Sequence, residues 1–422
     1  MVCVVNFAAD DSFAAAKLKT LHDFCVKDGC SDGALPNGEL LMDAEGNLYG
    51  TSAEGTHNAG NVFALILDPA TGKRKYRVLH NFCAEELCAD GSAPNGSLIA
   101  DTKGNLYGTT RGGGNSEAGG TAFELMPNAD RSKWKLKTLY KFCSLDTCAD
   151  GEIPWSGLTY TGASSGAPYD GHSPVYGATY GGGLPLDAGI VFQLTRTGKT
   201  WSATSIHDFC SGDCDDGINP VAVMADGNGN LFGAAAAGGP LNQGTVFELS
   251  PNNGNWMLTS LYGFCQQAQC VDGAGPAADL VMDESGSLYG TTSGGGASGE
   301  GMVFKIVPNG VNSQLTVLYN FCTLADCADG AKPLGKLTVG ANGDLFGTTL
   351  QGGVHSQFGG TVFRLRNGSI KLLHSFCALA DCADGTHIHA GVIMDESANL
   401  LGVASSGGTH GGGTVFELRP GR

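Results

Sequence analysis

Two histidines stand close together in the stretch "DGTHIHAGVIMD", which runs from Asp384 to Asp395. Six other stretches of the chain resemble it, and each of them has a proline at the position of Ile388. His387 and His389, on either side of that position, therefore distinguish one copy of a repeated motif. Imidazole nitrogens bind transition metals and also act as general acids and bases. These two histidines are candidates for both kinds of chemistry.

Three further histidines occupy matching positions in glycine-rich segments: His57 in "EGTHNAG", His355 in "GGVHSQFGG" and His410 in "GGTHGGG". If all five histidines converge, they predict a site for zinc or a similar transition metal, or a catalytic acid and base. The carboxylates near enough in sequence to orient the imidazoles are Glu54, Asp381 and Asp384. The alternative is that exposed glycine-rich loops tolerate histidine without forming a common site, and both interpretations stay open.

Trp155 is a candidate of a different kind. It stands in "DGEIPWSG", where related copies of the motif have Asn37, Asn95 or Ala277. A tryptophan ring exposed in a loop offers an apolar face on which a sugar ring can stack. Trp155 is therefore the candidate carbohydrate-binding residue, with a purely structural role as the alternative.

Fourteen of the fifteen cysteines form local pairs, spaced Cys-x4-Cys or in one case Cys-x3-Cys. Two thiolates per pair are too few for a closed zinc site, which needs four ligands. The spacing therefore favours disulfides, which indicate an extracellular or periplasmic location. The predicted pairs are Cys25–Cys30, Cys83–Cys88, Cys143–Cys148, Cys210–Cys214, Cys265–Cys270, Cys322–Cys327 and Cys377–Cys382. Cys3 is left over.

An aspartate follows each cysteine pair within an x-Asp-Gly motif, as Asp329 follows Cys327. Such a carboxylate could bind Ca²⁺, but one carboxylate per motif is too few for a calcium cage. A turn in which the side chain accepts bonds from nearby backbone N–H groups is the favoured interpretation.

These motifs belong to a unit that occurs seven times. Successive Phe-Cys markers are 55 to 60 residues apart, with one interval of 67. Each unit parses into four strands, for example "GELLMD", "LYGTS", "TAFELMP" and "KLKTLYKFC", which are separated by turns and a glycine-rich loop. Four strands repeated seven times predict an all-β fold, a seven-bladed β-propeller.

The two ends of the chain indicate how the ring closes. Residues 17–25 read as a lone fourth strand, and residues 413–420 read as a lone third strand. Pairing these two strands in the last blade closes the ring and removes both exposed edges. The predicted organisation is an N-terminal segment, residues 1–16, outside the repeats and a single propeller over residues 17–422.

The propeller prediction places the functional candidates on one face. Loops that follow the second and the fourth strand of a blade emerge on the same side, so the disulfides, the glycine-rich loops, Trp155 and the five histidines share it. Four other histidines alternate with tyrosine at one fourth-strand position, which predicts a packing role. They are His22, His80, His207 and His374, and His172 lies in an insertion on the opposite face.

Composition excludes several classes of partner. The net charge is −17, and the 24 lysines and arginines are scattered rather than clustered. Nucleic acids and anionic membranes are therefore poor candidates. No window has the roughly 18 apolar residues of a transmembrane helix. A monomer is expected, and the start of the chain resembles a signal-peptide remnant only weakly.

The tandem segments "GNLYGTTRGGG", "GGTAFEL" and "GTVF" resemble the GloVer repeat proteins, a bacterial family of secreted or surface-anchored tandem-repeat chains. The resemblance extends over nearly the whole chain and implies a secreted or surface-exposed protein. It brings no established substrate and no catalytic residues. The chain ends in "FELRPGR" without the apolar segment expected of an anchor.

Three functional hypotheses follow from the sequence. The preferred one is a binding module that recognises a carbohydrate or cell-surface polymer through the disulfide-bearing face. The second is a polysaccharide lyase or hydrolase that uses the histidines of the sixth, seventh and first repeats as metal ligands or as acid and base. The third is a structural surface protein without a small ligand. Whether the protein is an enzyme is left open at this point.

Overall fold

The computed structural model describes residues 16–419, so Cys3 and most of the predicted N-terminal segment lie outside the described residues. Within this range the chain forms 31 strands and eight short 3-10 helices, with no α-helix. The strands form seven sheets, which we number as blades one to seven in chain order. The prediction of a seven-bladed β-propeller is confirmed.

The strands of each blade run from the centre of the ring outwards. Blade one contains Ala34–Pro36, Leu41–Met42, Leu48–Glu54, Asn61–Leu67 and Arg74–Asn81. Blade two contains Ile99–Ala100, Leu106–Thr110, Thr121–Pro127 and Trp134–Lys141. Blade three contains Glu152–Pro154, Thr159–Tyr160, Val175–Gly181, Ile190–Thr197 and Thr200–Asp208. Blade four contains Ile218–Ala225, Leu231–Ala237, Thr245–Asn252 and Asn255–Gly263.

The remaining three blades follow the same order. Blade five contains Ala274–Pro276, Val281–Met282, Leu288–Gly294, Met302–Val307 and Gln314–Asn320. Blade six contains Thr338–Val339, Leu345–Thr349, Thr361–Arg366 and Ser369–Ser375. Blade seven contains Ile393–Met394, Leu400–Ala404, Thr414–Arg419 and, from the other end of the chain, Lys17–Asp23.

The 3-10 helices are single turns. They are Asp28–Cys30, Thr56–Asn58, Glu86–Cys88, Asp146–Cys148, Ala163–Ser165, Ala268–Cys270, Ala325–Cys327 and Ala380–Cys382. Six of them end at the second cysteine of a Cys-x4-Cys pair, whereas the shorter Cys-x3-Cys loop of blade four has none. None of the helices within residues 16–419 has the length and apolar character needed to cross a bilayer.

The ring closes as predicted. Lys17–Asp23 pairs antiparallel with Thr414–Arg419, so the first described strand is the outermost strand of blade seven. The unpaired edge of a strand can associate with other chains. Pairing with Lys17–Asp23 covers the edge of the third strand of blade seven.

Two phenylalanines pack together at every junction between blades. Phe24, beside the first disulfide, contacts Phe63 of blade one with ring centroids 5.2 Å apart, and both rings are fully buried. The glycine of the "LYG" motif makes room for this packing, since a Cβ at Gly50 would lie 2.5 Å from the Phe63 ring. The same pair recurs as Phe82–Phe123, Phe142–Phe192, Phe209–Phe247, Phe264–Phe304, Phe321–Phe363 and Phe376–Phe416.

The innermost strand differs from the prediction of a continuous "GELLMD" strand. In blade one only Leu41–Met42 of that stretch is paired, a further segment, Ala34–Pro36, precedes it, and the residues between the two leave the sheet. The cause is close packing, because a Cβ at Gly38 would lie 2.7 Å from the Gly96 carbonyl oxygen of blade two. Only blade four, which is one residue shorter here, has an uninterrupted inner strand. The interrupted segments form the wall of the central channel.

Candidate functional site

On the face that carries the disulfide loops, one or more backbone hydrogen bonds tie each blade to the next. The donor is the amide before the motif proline, or before Ile388 in blade seven, and the acceptor lies in the glycine-rich loop of the preceding blade. The donors are Leu35, Ala93, Ile153, Asn219, Gly275, Lys332 and His387, and all seven have positive φ. A left-handed backbone is costly for most L-residues, so contacts between the blades must hold this conformation.

His387 takes part in this blade junction through its backbone amide rather than through its side chain. Its amide donates to the Gly359 carbonyl oxygen at 3.2 Å, as the corresponding amides do in the other blades. Ile388 takes the place of the motif proline and is fully buried. The exchange of proline for isoleucine therefore preserves the fold of the motif.

Each disulfide loop wraps around the carboxylate of the aspartate that follows it. In blade six, buried Asp329 accepts hydrogen bonds from the amides of Thr323 at 3.0 Å and Leu324 at 3.2 Å, and from the Tyr319 hydroxyl at 2.8 Å. Backbone amides also bind Asp32, Asp90, Asp150, Asp216, Asp272 and Asp384. These N–H and O–H donors satisfy the carboxylate, as the predicted turn requires.

A cavity of about 440 Å³ lies at the centre of the ring, and all seven blades contribute to its wall. In each blade, the residue that directly follows the motif proline, or Ile388 in blade seven, belongs to what we call the first tier. The residue two positions after that one belongs to the second tier. The first tier consists of Asn37, Asn95, Trp155, Val221, Ala277, Leu334 and His389. The second tier consists of Glu39, Ser97, Gly157, Asp279, Lys336 and Gly391, since blade four is one residue shorter.

Trp155 and Tyr180 form an aromatic shelf at this cavity. Their ring centroids are 5.6 Å apart, and each residue remains 37% exposed. The Arg111 guanidinium lies over the Trp155 ring with its Cζ atom 4.9 Å from the centroid, within the range of a cation–π contact. Nearby, the Asn37 amide donates to the Asn95 side-chain oxygen at 3.0 Å. The structure thus places Trp155 in a concave, partly aromatic wall.

The second tier contains an ion pair that spans blade seven. Lys336 of blade six places its Nζ atom 3.9 Å from Oε2 of Glu39, which belongs to blade one. Blade seven contributes only Gly391 between them, where a Cβ would lie 3.2 Å from Glu39 Oε1 and 2.3 Å from the Lys336 carbonyl oxygen. Asp279 approaches from blade five, on the other side of Lys336. A glycine in one blade therefore allows charged groups of its two neighbours to meet.

Burial and neighbouring charges shift the pKa values of the second-tier side chains. Burial raises the pKa of Glu39, and the positive charge of Lys336 opposes that effect. Burial also raises the pKa of Asp279. The negative charge of Glu39 raises the pKa of Lys336, which is therefore charged at neutral pH. The side chains still contact water inside the cavity, with exposed fractions of 18% for Glu39 and 36% for Lys336.

His389 is the one histidine of the predicted set that lines this cavity. Its side chain is accessible to water, but protein surrounds it, and this desolvation lowers its pKa, with a further contribution from nearby His387. His387 itself has its Nδ1 atom 3.2 Å from the Thr386 hydroxyl. The two histidines are therefore close neighbours, one in the cavity and one at the blade junction.

The other three predicted histidines lie in exposed loops. His57, His355 and His410 all have exposed side chains. Within residues 16–419, no three of the five predicted histidines bring ligand nitrogens within 4.8 Å of one another. The one group of His, Cys, Asp or Glu that meets this spacing contains the Cys143–Cys148 disulfide. A metal site or acid–base pair built from the histidines therefore stays a prediction.

The fourth-strand histidines have the packing role predicted from their exchange with tyrosine. The Nε2 atoms of His80, His207 and His374 lie 3.3, 2.8 and 3.3 Å from the carboxylates of Asp90, Asp216 and Asp384, respectively. Tyr140, Tyr262 and Tyr319 donate to the equivalent carboxylates. His22 lies 3.7 Å from Asp32, and burial lowers its pKa to about 4. His172 is exposed in the insertion of blade three.

Five residues of the cavity were not identified from the sequence. They are Glu39, Arg111, Tyr180, Asp279 and Lys336. Glu39, Asp279 and Lys336 occupy one column of the repeat, in which blades two, three and seven have serine or glycine and the shorter blade four has no counterpart. Charged residues in a column that otherwise holds small residues are the sequence signal for these three.

Comparison with known proteins gives one family match. A family model described as the Gloeobacter/Verrucomicrobia repeat matches residues 11–173 and 161–338. None of the curated proteins matches the chain significantly.

Several solved structures have a similar fold. They include Chaetomium thermophilum Sqt1 (13% identity, covering 92% of this chain and 87% of that one, TM-score 0.49) and the polysaccharide lyase Uly1 (9%, 96% and 100%, 0.48). Trypanosoma rangeli sialidase is 10% identical, over 84% of this chain and 57% of that one, with a TM-score of 0.43. Similarity at this level carries no inference about ligand or activity.

Proposed function

The chain belongs to the Gloeobacter/Verrucomicrobia repeat family, and we propose that it is an extracellular or periplasmic β-propeller that binds carbohydrate in its axial cavity. The observation that carries this proposal is the aromatic shelf of Trp155 and Tyr180, which remains partly exposed in the cavity wall. An exposed pair of aromatic rings in a concave wall is a common feature of ligand sites.

The cavity offers both kinds of contact that a sugar ring uses. The C–H face of a sugar stacks on aromatic rings such as those of the shelf. Its hydroxyl groups exchange hydrogen bonds with amides, carboxylates and ammonium groups, which Asn37, Glu39 and Lys336 provide. A volume of about 440 Å³ falls within the usual range of small-ligand sites, roughly 300–1,000 Å³.

The disulfides support the proposed location. Seven of them, one at the start of each blade, are present in the described chain. Structural disulfides are typical of proteins outside the reducing cytoplasm. An extracellular or periplasmic location also gives the cavity access to environmental or cell-wall glycans.

Substitution of the shelf tests the proposal. Soluble β-glucan, xylan, mannan and polygalacturonate are titrated into the wild-type protein and into Trp155→Ala by isothermal calorimetry. We expect at least one polysaccharide to bind, and Trp155→Ala to weaken it by about tenfold or more, as expected for a central aromatic contact. Val311→Ala, a change at a 79% exposed residue outside the cavity, is the matched control. Equal binding by Trp155→Ala, or no binding of any of the four, contradicts the proposal.

Hydrolysis of the bound glycan is a second candidate function, favoured by the two carboxyl groups in the cavity. Glycoside hydrolysis uses such a pair, one as general acid and one as general base. Asp279 would protonate the leaving oxygen as the glycosidic C–O bond breaks, and Glu39 would take a proton from the water that adds to the anomeric carbon. Burial raises the pKa of both groups, which suits an acid, and the ion pair with Lys336 favours the ionised form of Glu39 and hence the base role for that residue.

The release of reducing ends from the same four polysaccharides tests this second function. Asp279→Asn and Glu39→Gln are each expected to reduce the rate by about a hundredfold or more while retaining the fold. Release that persists in both variants, or a wild-type protein that binds a polysaccharide without cleaving it, rejects hydrolysis and leaves the binding function in place.

A further inference from the structure

The shape and charge of the axial cavity restrict which part of a glycan can enter it. We propose that the cavity takes the terminal unit of a neutral glycan chain, rather than an internal unit or an acidic sugar. This inference rests on the proposed carbohydrate-binding function and specifies its ligand class.

The first argument is that the wall of the cavity is continuous. Every blade contributes a residue to the wall, and at least one backbone hydrogen bond closes each of the seven blade junctions on this face. The closing junction, between blades seven and one, has the same bond, from the Leu35 amide to the Gly412 carbonyl oxygen at 3.0 Å. A linear polymer that binds along its length needs a groove open at both sides. A pocket enclosed by a ring admits the end of a chain along the axis.

The second argument concerns the space beneath the first tier. There the side chains of Glu39 and Lys336 meet across Gly391, at 3.9 Å between Oε2 and Nζ. Asp279 adds a third charged side chain to the same tier. These groups line the cavity wall two residues further along the inner segments than the first tier that holds Trp155, so we expect a sugar that stacks on Trp155 to present its far edge to them.

The chemistry of this tier suits a terminal unit. A carboxylate accepts hydrogen bonds from two adjacent hydroxyl groups, and an ammonium group donates to hydroxyl oxygens. The terminal unit at the non-reducing end has one more free hydroxyl than an internal unit, because the latter uses that oxygen in the next linkage. Glu39, Asp279 and Lys336 can therefore satisfy more hydroxyls of a chain end than of an internal sugar.

The charges of the tier disfavour acidic sugars. It contains the carboxyl groups of Glu39 and Asp279, and its one ammonium group, that of Lys336, is already paired with Glu39. The remaining cation of the wall, Arg111, stacks on Trp155 instead of facing the second tier. A uronate or sulfate group placed there would meet the negative charge of Glu39 in a partly buried site, where screening is weaker than in bulk water. The net charge of −17 on the whole chain also repels polyanionic glycans.

Oligosaccharides of defined length test the inference. Cello-, manno-, xylo- and galacturono-oligosaccharides of two to six units are titrated into the wild-type protein by calorimetry. For a neutral series that binds, we expect one chain per protein and a Kd per chain that changes less than about threefold from three to six units. Affinity that keeps rising with the number of internal units, or a long chain that takes up several copies of the protein, overturns end recognition.

The charged tier is tested with the same series. Glu39→Gln and Asp279→Asn are expected to weaken binding of the neutral series by about tenfold each, with thermal unfolding monitored to show that the fold is retained. Val311→Ala again serves as the control. Tighter binding of the galacturonides than of every neutral series overturns the preference for neutral ends.

The outcomes separate this inference from the function on which it rests. If none of the four series binds to the wild-type protein, carbohydrate binding fails and end recognition fails with it. If a series binds with an affinity that grows with chain length, carbohydrate binding stands and end recognition alone is rejected.

Borohydride reduction opens the ring at the reducing end only, so unchanged binding after reduction assigns the non-reducing end to the cavity, and loss of binding contradicts that assignment.

Discussion

Individual side chains in this protein divide into those that repeat in every blade and those that occur once. The aspartate after each disulfide repeats and holds its loop through backbone amides. Glu39, Asp279 and Lys336 do not repeat, and all three face the cavity. In a ring of similar blades, the repeated residues build the scaffold and the exceptions create a local site. Of the five predicted histidines, His389 lines the cavity, whereas His57, His355 and His410 lie in exposed loops.

The alternation of histidine and tyrosine in the fourth strand predicts a pH effect on stability. Burial lowers the pKa of His80 in the folded protein from its ordinary value of 6.5. Below about pH 6.5 the unfolded chain therefore binds a proton that the folded chain resists, so the free energy of unfolding falls as the pH falls. His80→Tyr introduces a hydroxyl like that of Tyr140, which donates to Asp150 at the junction of blades two and three. We expect this variant to lose less unfolding free energy between about pH 6.5 and pH 5.

Urea unfolding at several pH values measures this effect. His172→Tyr is the matched control, because His172 is exposed and its substitution should leave the pH dependence unchanged. A His80→Tyr protein with the same pH dependence as the wild type would show that His80 does not contribute. His22 is less suitable for the experiment, since its ring stacks on Tyr76 at 3.6 Å and leaves no space for a larger side chain.

At the scale of elements, the outer three strands of each blade were predictable and the inner strand was not. Strands such as Leu48–Glu54 and Asn61–Leu67 follow alternating or β-branched patterns that fix their register. The inner strand is interrupted because Gly38 packs against the backbone of the next blade, a contact about 58 residues away that no local pattern reveals. The cavity lies at that interruption. For this reason the sequence predicted the face that holds the site but not Glu39, Asp279 or Lys336.

The disulfide loop of blade six is a second element whose stability can be measured. It is closed by Cys322–Cys327 at a sequence separation of 5 and is also held by Asp329. Closing so short a loop is worth about 2 kcal/mol of unfolding free energy, and loss of the buried acceptor about 1–3 kcal/mol. The double variant Cys322→Ser/Cys327→Ser is expected to lose about 2 kcal/mol of unfolding free energy. The variant Asp329→Asn is expected to lose about 1–3 kcal/mol.

The two constraints act on the same loop, so their effects should not add. The triple variant is expected to lose less unfolding free energy than the sum of the two separate losses, as measured by urea denaturation without reductant. Val311→Ala provides a reference for a surface substitution elsewhere. Strict additivity would show that the carboxylate and the disulfide stabilise independent parts of the blade.

At the scale of the whole molecule, ring closure by the two ends of the chain couples the cavity to the integrity of the fold. The strand Lys17–Asp23 completes blade seven, and Leu18 and Leu21 pack against the adjoining cores. Blade seven in turn contributes His389 and Gly391 to the cavity wall. Pairing of the first described strand with the last one therefore completes a blade that forms part of the cavity wall.

Removal of residues 1–23 tests this coupling. The deletion exposes the edge of Thr414–Arg419, and unpaired edges associate with other chains. We expect the truncated protein to form oligomers in size-exclusion chromatography with light scattering and to lose carbohydrate binding, whereas removal of residues 1–15 alone should do neither. A synthetic peptide of residues 16–24, added in excess, should pair with the free edge and restore both properties. A truncated protein that remains monomeric and binds its ligand normally would show that closure is dispensable for the site.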